Sequence, residues 1–490
     1  MLMGIRLQAH PTSQQKLVLS QWMGCARFIW NGKCDEDRYL VSFARKYMPT
    51  GTYAPIDQKY SQYKDDDLSP WLSECPCQIL RNSVVNWYQT YKKFLKGECG
   101  KPNRKKKSDG GSIHLTKEVF RFEKCEDGVT RLFIGTKTNN IGYLSIKNHG
   151  PYQVPKSIYI KKQHGDYWVS FCYEDGLDES NLLNQEENLK YLRGADRSFL
   201  EKHVVGIDRG VVRPVQAGGE VFDLTLEQKK NKLGREQYLK RYQRRLAKQK
   251  KGSKRRYKTK QKISRCHQKI SNIRKDFNHK TSRKIVDSPE NKIIVLEDLR
   301  TKNMTAKPKA KQTDTGKWEK NGANAKAGLN KSILDKGWHQ LESFIKYKSY
   351  RAGKAWFKVS AYQTSQECAA CSHTHPNNRK SQSRFQCESC GHTDNADHNA
   401  AEVVKKRAIN LILDPGSGLS KRGVLLADTG RGATSKTRRA KASPCTWQRN
   451  VKKEEKSGES CLVPEAQSFR PSRSNSNFGL PENLWCLRVR

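Results

Sequence analysis

The chain has 490 residues, enough for two or three domains, and carries 94 Lys and Arg against 49 Asp and Glu, a formal net charge of +45. An excess of that size repels itself unless a polyanion neutralises it, so nucleic acid is the expected partner. No run approaches the roughly 20 apolar residues of a membrane-spanning helix, and the first residues lack the apolar centre of a signal peptide; the fifteen cysteines then read as thiols and metal ligands of a cytoplasmic, nucleoid-associated protein, not as disulfides.

In chain order, residues 3–8 alternate weakly and predict a strand. From Thr12 to about Phe43, Leu17, Leu19, Trp22, Met23, Phe28 and Ile29 recur at helical spacing. A second helix is expected from about Pro76 to Leu95 on Ile79, Leu80, Val84, Trp87, Tyr88, Tyr91 and Phe94, after a polar connector over 48–69. A Gly/Lys/Arg loop containing KPNRKKK follows at 97–111. Over 112–175 the apolar pieces VFRF, RLFIG, YLSI, SIYI and YWVSFCY alternate with Gly, Asn and Asp turns, which predicts a small antiparallel barrel or sheet. Residues 176–200 read as a polar linker.

VVGID (204–208) and KIIVLE (292–297) are short apolar strands, each ending in an acid. Between them, 226–286 is helical and dense in Lys and Arg. Leu246, Ile263, Ile270 and Ile273 give this stretch a thin apolar seam, and Gly252-Ser253 turns it back as a hairpin. Charge this dense on one hairpin favours phosphate contact over a merely solvated face. Residues 301–328 are polar and expected to be mobile, an amphipathic helix is predicted from about Ser332 to Ala352, and WFKVS (356–360) is a further strand. A helix over 398–413 closes the ordered part; beyond Asp414 periodicity is lost, and most of 414–490 is expected to be disordered.

Cys368, Cys371, Cys387 and Cys390 form two Cys-x-x-C pairs fifteen residues apart. Four thiolates at that spacing suit tetrahedral zinc, with an iron–sulfur or redox pair as the alternative. A site closed by four sulfurs has no open position, so this zinc is structural. Cys75-Pro76-Cys77 is too tight for such a pair. Three acids then stand at informative places: Asp208 and Glu297 at strand ends, and Asp397 at the start of a helix. Carboxylates brought together repel one another unless cations neutralise them, so a cluster of the three implies Mg²⁺, with two ions suited to phosphodiester hydrolysis. Asp394 and Asp298 are the rival candidates.

VVGIDRG, IIVLEDLRTKNM, the double Cys-x-x-C and ADHNAA, in that order, resemble the split RuvC nuclease domain of TnpB, the RNA-guided DNA endonucleases encoded by insertion sequences, with the compact type V CRISPR effectors as close relatives. PTSQQKLVLSQWMGCARFIWN, ILRNSVVNWYQTYKKFL, KPNRKKK and KDFNHK are similar to the family as well, and the likeness spans roughly 1–413. It implies an α/β, RNase H-like nuclease with an inserted zinc ribbon, together with an all-β wedge-like barrel and a helical recognition lobe. The expected divisions are 1–10 and 112–200 for the barrel and 11–111 for the lobe. The nuclease is expected over 201–365 with the basic hairpin 226–286, the zinc ribbon over 366–392, the last nuclease segment over 393–413, and a tail over 414–490.

The resemblance assigns Asp208, Glu297 and Asp397 to magnesium and catalysis, and Arg384 to a family arginine near the active site. Tyr53, Arg81, Asn82 and Thr116 fall where members touch the short DNA motif beside the target; an arginine at 81 suits guanine edges. Implied partners are a guide RNA and double-stranded target DNA, with no membrane and no small-molecule cofactor. The competing readings are a guided DNA-binding repressor without nuclease activity and an RNA-independent resolvase or transposase of the same fold. In these elements the gene's end commonly overlaps the guide-RNA scaffold, so the tail is expected to follow RNA sequence and not folding.

Overall fold

The computed structural model of the chain describes residues 2–49, 57–107, 110–124, 130–148, 150–180, 182–313 and 316–427. Strand β1 (Leu2–Ala9) is followed by Thr12, whose hydroxyl accepts from the Gln15 N–H while the Gln15 side chain accepts from the Thr12 N–H. That reciprocal cap starts helix α1 (Ser13–Tyr47). The Gln15 amide also donates to the carbonyls of Ile141 and Tyr143, fixing the helix start to the sheet that follows. Helix α2 (Cys77–Leu95) packs along α1. The predicted helical spans are therefore present, α1 running one turn further than its apolar spacing indicates.

Seven strands come next: β2 (Gly111–Thr116), β3 (Phe120–Lys124), β4 (Thr130–Gly135), β5 (Asn140–Leu144), β6 (Ile146–Lys147), β7 (Ser157–Gln163) and β8 (Asp166–Glu174). β1 pairs antiparallel with β8 from Leu2↔Glu174 to Ala9↔Tyr167, so the first residues of the chain complete a sheet ordered β2-β7-β8-β1-β6. A second antiparallel sheet has the order β3-β4-β5. Their inward side chains, Leu7, Ile113, Leu132, Ile160 and Val169 among them, share one core with Leu19, Trp22 and Ile29 of α1 and Leu80 of α2. β2 is an element the sequence reading passes over, because GSIHLT has only two apolar side chains.

The linker expected over 176–200 is a correction. Residues there form α3 (Gln185–Leu192) and α4 (Arg197–His203), and Leu189, Leu192 and Leu200 are buried in the core of the second half of the molecule. Their polar remainder faces solvent and hides the amphipathic pattern in so short a span. The N-terminal sheets consequently end with β8 at Glu174, not at 200.

The second half is organised on one sheet of β9 (Val204–Asp208), β10 (Val215–Ala217), β11 (Glu220–Phe222), β12 (Ile293–Glu297) and β15 (Ala355–Val359), in the order β11-β10-β9-β12-β15. β9, β12 and β15 are parallel; β10 and β11 run antiparallel to them. The parallel strands are covered on both faces, which is why they read as unbroken apolar runs. Between β11 and β12 lie α5 (Leu226–Ala247) and α6 (Lys254–Asp287), the basic hairpin, turned at Gly252. Its predicted seam is half-buried and is completed by Thr259 and Cys266.

After β12 come α7 (Thr301–Met304), a small hairpin of β13 (Lys311–Gln312) and β14 (Trp318–Glu319), then α8 (Ala323–Lys336) and α9 (Trp338–Arg351). The single helix expected over 332–352 is thus two helices. They break at Gly337, whose φ is +68° and where a Cβ would lie 3.0 Å from Arg274 Cδ on α6. Beyond β15 are β16 (Arg384–Gln386), β17 (Thr393–Asn395) and α10 (Ala396–Leu413).

The start of the expected disordered tail is also corrected: β18 (Gly418–Leu419) and β19 (Leu425–Leu426) form a hairpin, Val424 bridges Lys358, and Leu425 joins the core beside α10. Residues 428–490 lie outside the described residues. Among the described residues no helix is long and apolar enough to cross a membrane.

Candidate active site and metal centre

Side chains alternate across a strand, so Val204, Gly206 and Asp208 share one face of β9, as Ile293, Val295 and Glu297 share one face of β12. Val204, Ile293 and Val295 pack in the core formed with Val404, Ala408 and Ile412 of α10, so this is the face that α10 covers. The parallel register runs from Ile293↔Val204 to Leu296↔Ile207, which sets the two acids side by side at the strand ends. Helix α10 crosses β9 at Gly206, where a Cβ would come 2.1 Å from the Ala401 carbonyl and 2.7 Å from the Lys405 nitrogen. Only glycine permits that approach, and the approach brings the first turn of α10, with Asp397, to the two strand ends.

Burial raises the Asp208 carboxyl well above the usual carboxylate range, and the charges of Glu297 and Asp397 push it further in the same direction. Glu297, 4% exposed, is also raised by burial. It accepts a 2.5 Å hydrogen bond from the Thr364 hydroxyl, which works against the rise, as do Arg209 and a hydrogen bond shared with Asp208. Asp397, 8% exposed, is raised by burial and held back by Arg379 and Arg213. Asp208 thus lies within electrostatic reach of both other acids, an arrangement that suits a divalent cation, although among the described residues only the four cysteines already hold their donor atoms within 4.8 Å of one another.

The rivals point elsewhere. Asp298 pairs with Arg422 at 2.9 Å and Lys358 at 3.8 Å, and Asp394 contacts His398 Nδ1 at 2.6 Å. Arg209 leaves the acid face: it donates to the Glu297 backbone carbonyl and pairs with Glu342 of α9 at 3.1 Å.

The four cysteine sulfurs lie within 4.8 Å of one another, with Cys368–Cys390 at 3.7 Å and Cys371–Cys387 at 3.6 Å. A tetrahedron with metal–sulfur bonds of about 2.3 Å has edges of about 3.8 Å, so the donor set fits a zinc ion. The two knuckles are built alike. The Cys368 N–H donates to the His373 carbonyl and the Cys387 N–H to the His392 carbonyl. The residue after each pair, Ser372 and Gly391, takes positive φ (64° and 73°).

β16 and β17 form a hairpin beside the second knuckle and run directly into α10, where the Asn395 side chain accepts from the Asp397 N–H at 3.1 Å. Asn399, fully buried one turn on, accepts from the Ala369 N–H and donates to the Glu367 carbonyl, so the first knuckle is clamped to the same helix end. The ribbon therefore braces the helix turn that carries Asp397.

Arg384 is exposed on β16, and among the described residues no ion pair joins it to the three acids. Arg379, in the loop between the knuckles, lies 3.7 Å from Asp397 instead. Sequence reasoning missed it because nothing in NNRKSQSR separates one arginine from the next. Thr364 and Asn399 were missed for the same reason: their partners are remote in sequence. Gly206, inside the strand motif, was a visible signal, since glycine within a strand marks close backbone approach.

At the other end of the molecule, Asn82 of α2 donates to the His114 carbonyl of β2. Arg81 pairs with Glu118 at 2.6 Å, and the Thr116 hydroxyl lies 3.4 Å from the same carboxylate. These three residues are therefore neighbours. Tyr53 lies outside the described residues.

Three family models match the chain: a Helix-turn-helix domain over 1–32, a Probable transposase over 190–307, and a Cas12f1-like TNB domain over 338–404. The first of these segments is here a strand and a long helix. The chain is 29% identical over 405 residues to a putative RNA-guided DNA endonuclease InsQ of Escherichia coli (strain K12), covering 82% of this chain and 91% of the relative. It is 23% identical over 399 residues to a putative RNA-guided DNA endonuclease of Streptomyces pristinaespiralis, covering 81% and 86%. Among solved structures, a Cas12f1–sgRNA–target DNA complex is similar at a TM-score of 0.48 and 13% identity, over 83% of this chain and 98% of that one. With transposase and Cas12f1-like segments in this order and relatives aligned over most of their length, the chain is a TnpB-like protein related to the type V effectors.

Proposed function

We propose that the protein is an RNA-guided DNA endonuclease that hydrolyses phosphodiester bonds in a single site made of Asp208, Glu297 and Asp397. The observation that carries this reading is the approach of three carboxyls, buried Glu297 and Asp397 and half-buried Asp208, from two parallel strand ends and one helix start, with Asp208 raised well above its ordinary range by burial and by the other two. The names of the relatives, both putative RNA-guided DNA endonucleases, support it. A sheet of three antiparallel strands continued by two parallel ones supports an RNase H-like, RuvC-type nuclease domain starting near α3. On the same reading, the sheets around β1 are the wedge-like barrel, and α1 with α2 the recognition lobe.

The three carboxyls would hold Mg²⁺, and the four cysteines a structural Zn²⁺. Bound there, divalent cations activate water and stabilise the leaving oxygen of a phosphodiester. The chain's own contribution is positioning. Thr364 fixes the Glu297 carboxyl, Arg209 anchors the backbone at the end of β12, Asn395 and Asn399 hold the start of α10, and Arg379 offers a cation beside Asp397. From Gln237 to Lys275 the hairpin carries no acidic side chain, so its charge is free for phosphates of guide RNA or target. Base pairing then selects the sequence, while the protein reads backbone and a short flanking motif. The closeness of Arg81, Asn82 and Thr116 supports a role for them in reading that motif.

The test is a plasmid-cleavage assay with co-purified or supplied guide RNA and Mg²⁺. Asp208→Ala is expected to abolish cutting while guided binding persists. Full cutting by that variant would sink the assignment, and a preparation that binds no discrete RNA would end the guided reading.

A further inference from the structure

Between β15 and the first knuckle runs a strap of residues 360–367. It turns at Gln363, a residue with a side chain and yet a φ of 55°. A left-handed backbone is strained for any residue with a Cβ, and such strain gathers where a neighbouring group must be aimed. The group aimed here is the Thr364 hydroxyl, buried and bonded to the Glu297 carboxyl. The Gln363 carbonyl accepts from the N–H groups of Gln366 and Glu367 at 2.9 and 3.1 Å, which closes the turn behind it.

Helix α10 holds this strap through Arg407. Its Nε and Nη2 both donate to the Glu367 carboxylate, the former at 2.9 Å, and its Nη1 donates to the carbonyls of Ser360 and Tyr362, each at 2.9 Å. One guanidinium therefore grips the strap on both sides of Thr364. Its charge also reaches Glu297, where it favours the ionised form. A lysine has no planar fork and cannot make this set of bonds. The first knuckle is docked separately: Lys406 donates to the carbonyls of Ala369 and Ala370 at 3.1 and 3.0 Å, and Asn399 accepts from the Ala369 N–H. Removing Arg407 thus frees the strap before it frees the ribbon.

Arg407 stands ten residues beyond Asp397 on α10, about 15 Å along the helix axis, too far to touch a cation at the helix start. Its route to the acids is through the strap. Resting on the nuclease reading, we propose that Arg407 is a positioning residue of the cutting centre: by gripping residues 360–367 it keeps the Thr364 hydroxyl on Glu297, so that one helix sets both Glu297 and Asp397. Groups that orient a metal-binding carboxylate typically change metal affinity tenfold or more when removed.

The test is Mn²⁺ binding by the full-length protein carrying its zinc, followed by electron paramagnetic resonance without nucleic acid, alongside guided cleavage. Arg407→Ala and Thr364→Val are each expected to weaken Mn²⁺ binding by about tenfold, with zinc content unchanged. The double variant should bind no more weakly than either single one, because the two residues act in one line. Thr364→Ser, which keeps the hydroxyl, should recover most of the affinity lost in Thr364→Val, whereas Arg407→Lys should not restore that lost in Arg407→Ala. Glu367→Gln, a milder cut of the same grip, repeats the cycle should Arg407→Ala fold poorly. Additive losses, or a loss of zinc that accounts for the weaker binding, would reduce Arg407 to a staple of the ribbon and overturn the proposal. Asp208→Ala separates the two readings. If it abolishes Mn²⁺ binding and cutting while Arg407→Ala leaves both untouched, the nuclease reading stands and the inference falls; if Asp208→Ala cuts fully, both fall.

Discussion

Removing the charge of Asp208 acts in two directions. In metal-free buffer the buried carboxyls repel one another, so Asp208→Asn should raise the melting temperature by a few degrees; added Mg²⁺ should stabilise the parent and leave the variant unchanged, and cleavage should be lost. Differential scanning fluorimetry with and without Mg²⁺ reads all but the last. Lys348 offers a separate check on burial. Its ammonium donates to the His279 carbonyl at 2.7 Å and the Ser282 hydroxyl at 2.8 Å. Burial, reinforced by Arg283, lowers its pKa to about 8.

Between about pH 8 and pH 10 the unfolded chain therefore binds more protons at this residue than the folded one, and stability gains from it as pH rises. The difference in melting temperature between the parent and Lys348→Met should grow in favour of the parent across that window. A constant difference would mean the ammonium is not perturbed. At this scale the sequence was legible where chemistry is local: cysteines in paired spacing, and acids closing apolar runs. Thr364, Arg379 and Asn399 were not legible, because each acts through a partner that only the folded chain brings near.

Among elements, the contact of α10 with β9 is the most exacting. Gly206→Ala places a methyl group where the Ala401 carbonyl lies 2.1 Å away. The helix must shift, and overpacking of this kind costs about 1–3 kcal/mol. A shift of about 1 Å at Asp397 is expected to lower the cleavage rate by about a hundredfold, with guide-RNA binding retained. Gly218→Ala, with only a side-chain contact at 3.8 Å to Val205 but a φ of +51°, separates general backbone strain from this specific collision.

The four-cysteine ribbon offers the complementary test. Its small core of Cys368, Phe385, Cys387 and Ala396 is separate from the cores on the two faces of the sheet that carries β9, β12 and β15. Cys390→Ser or a zinc chelator should therefore abolish cleavage while RNA binding and most of the far-UV circular dichroism remain. Strands with unbroken apolar runs and helices with long apolar stripes were readable in advance. The short pieces were not: β10, β11, α3 and α4 gain their stability from the sheet they join.

Across the whole molecule, charge gave the partner class and the motif order gave the nuclease, yet the place of residues 418–426 in the core came only from packing. Val424 and Leu425 are buried beside β15 and α10, so a deletion starting at 425 removes part of that core, whereas one starting after residue 427 keeps every described residue of it. With RNA supplied separately, the chain ending at 427 should cut as the full chain does, and the chain ending at 424 should melt earlier and cut less. Equal loss in both would give the remaining residues a role in the protein itself.

The order in which the three acids are encoded adds a constraint in time. Asp208 emerges early, but β9 finds its parallel neighbour only after the basic hairpin is complete, and Asp397 comes at the start of α10. At about 5–20 residues per second, roughly ten to forty seconds separate the first acid from the third during synthesis. By then the N-terminal sheets and the hairpin have left the ribosome. On the proposed reading, the nascent chain has made its basic hairpin well before all three acids can meet, so RNA could be bound before cutting is possible.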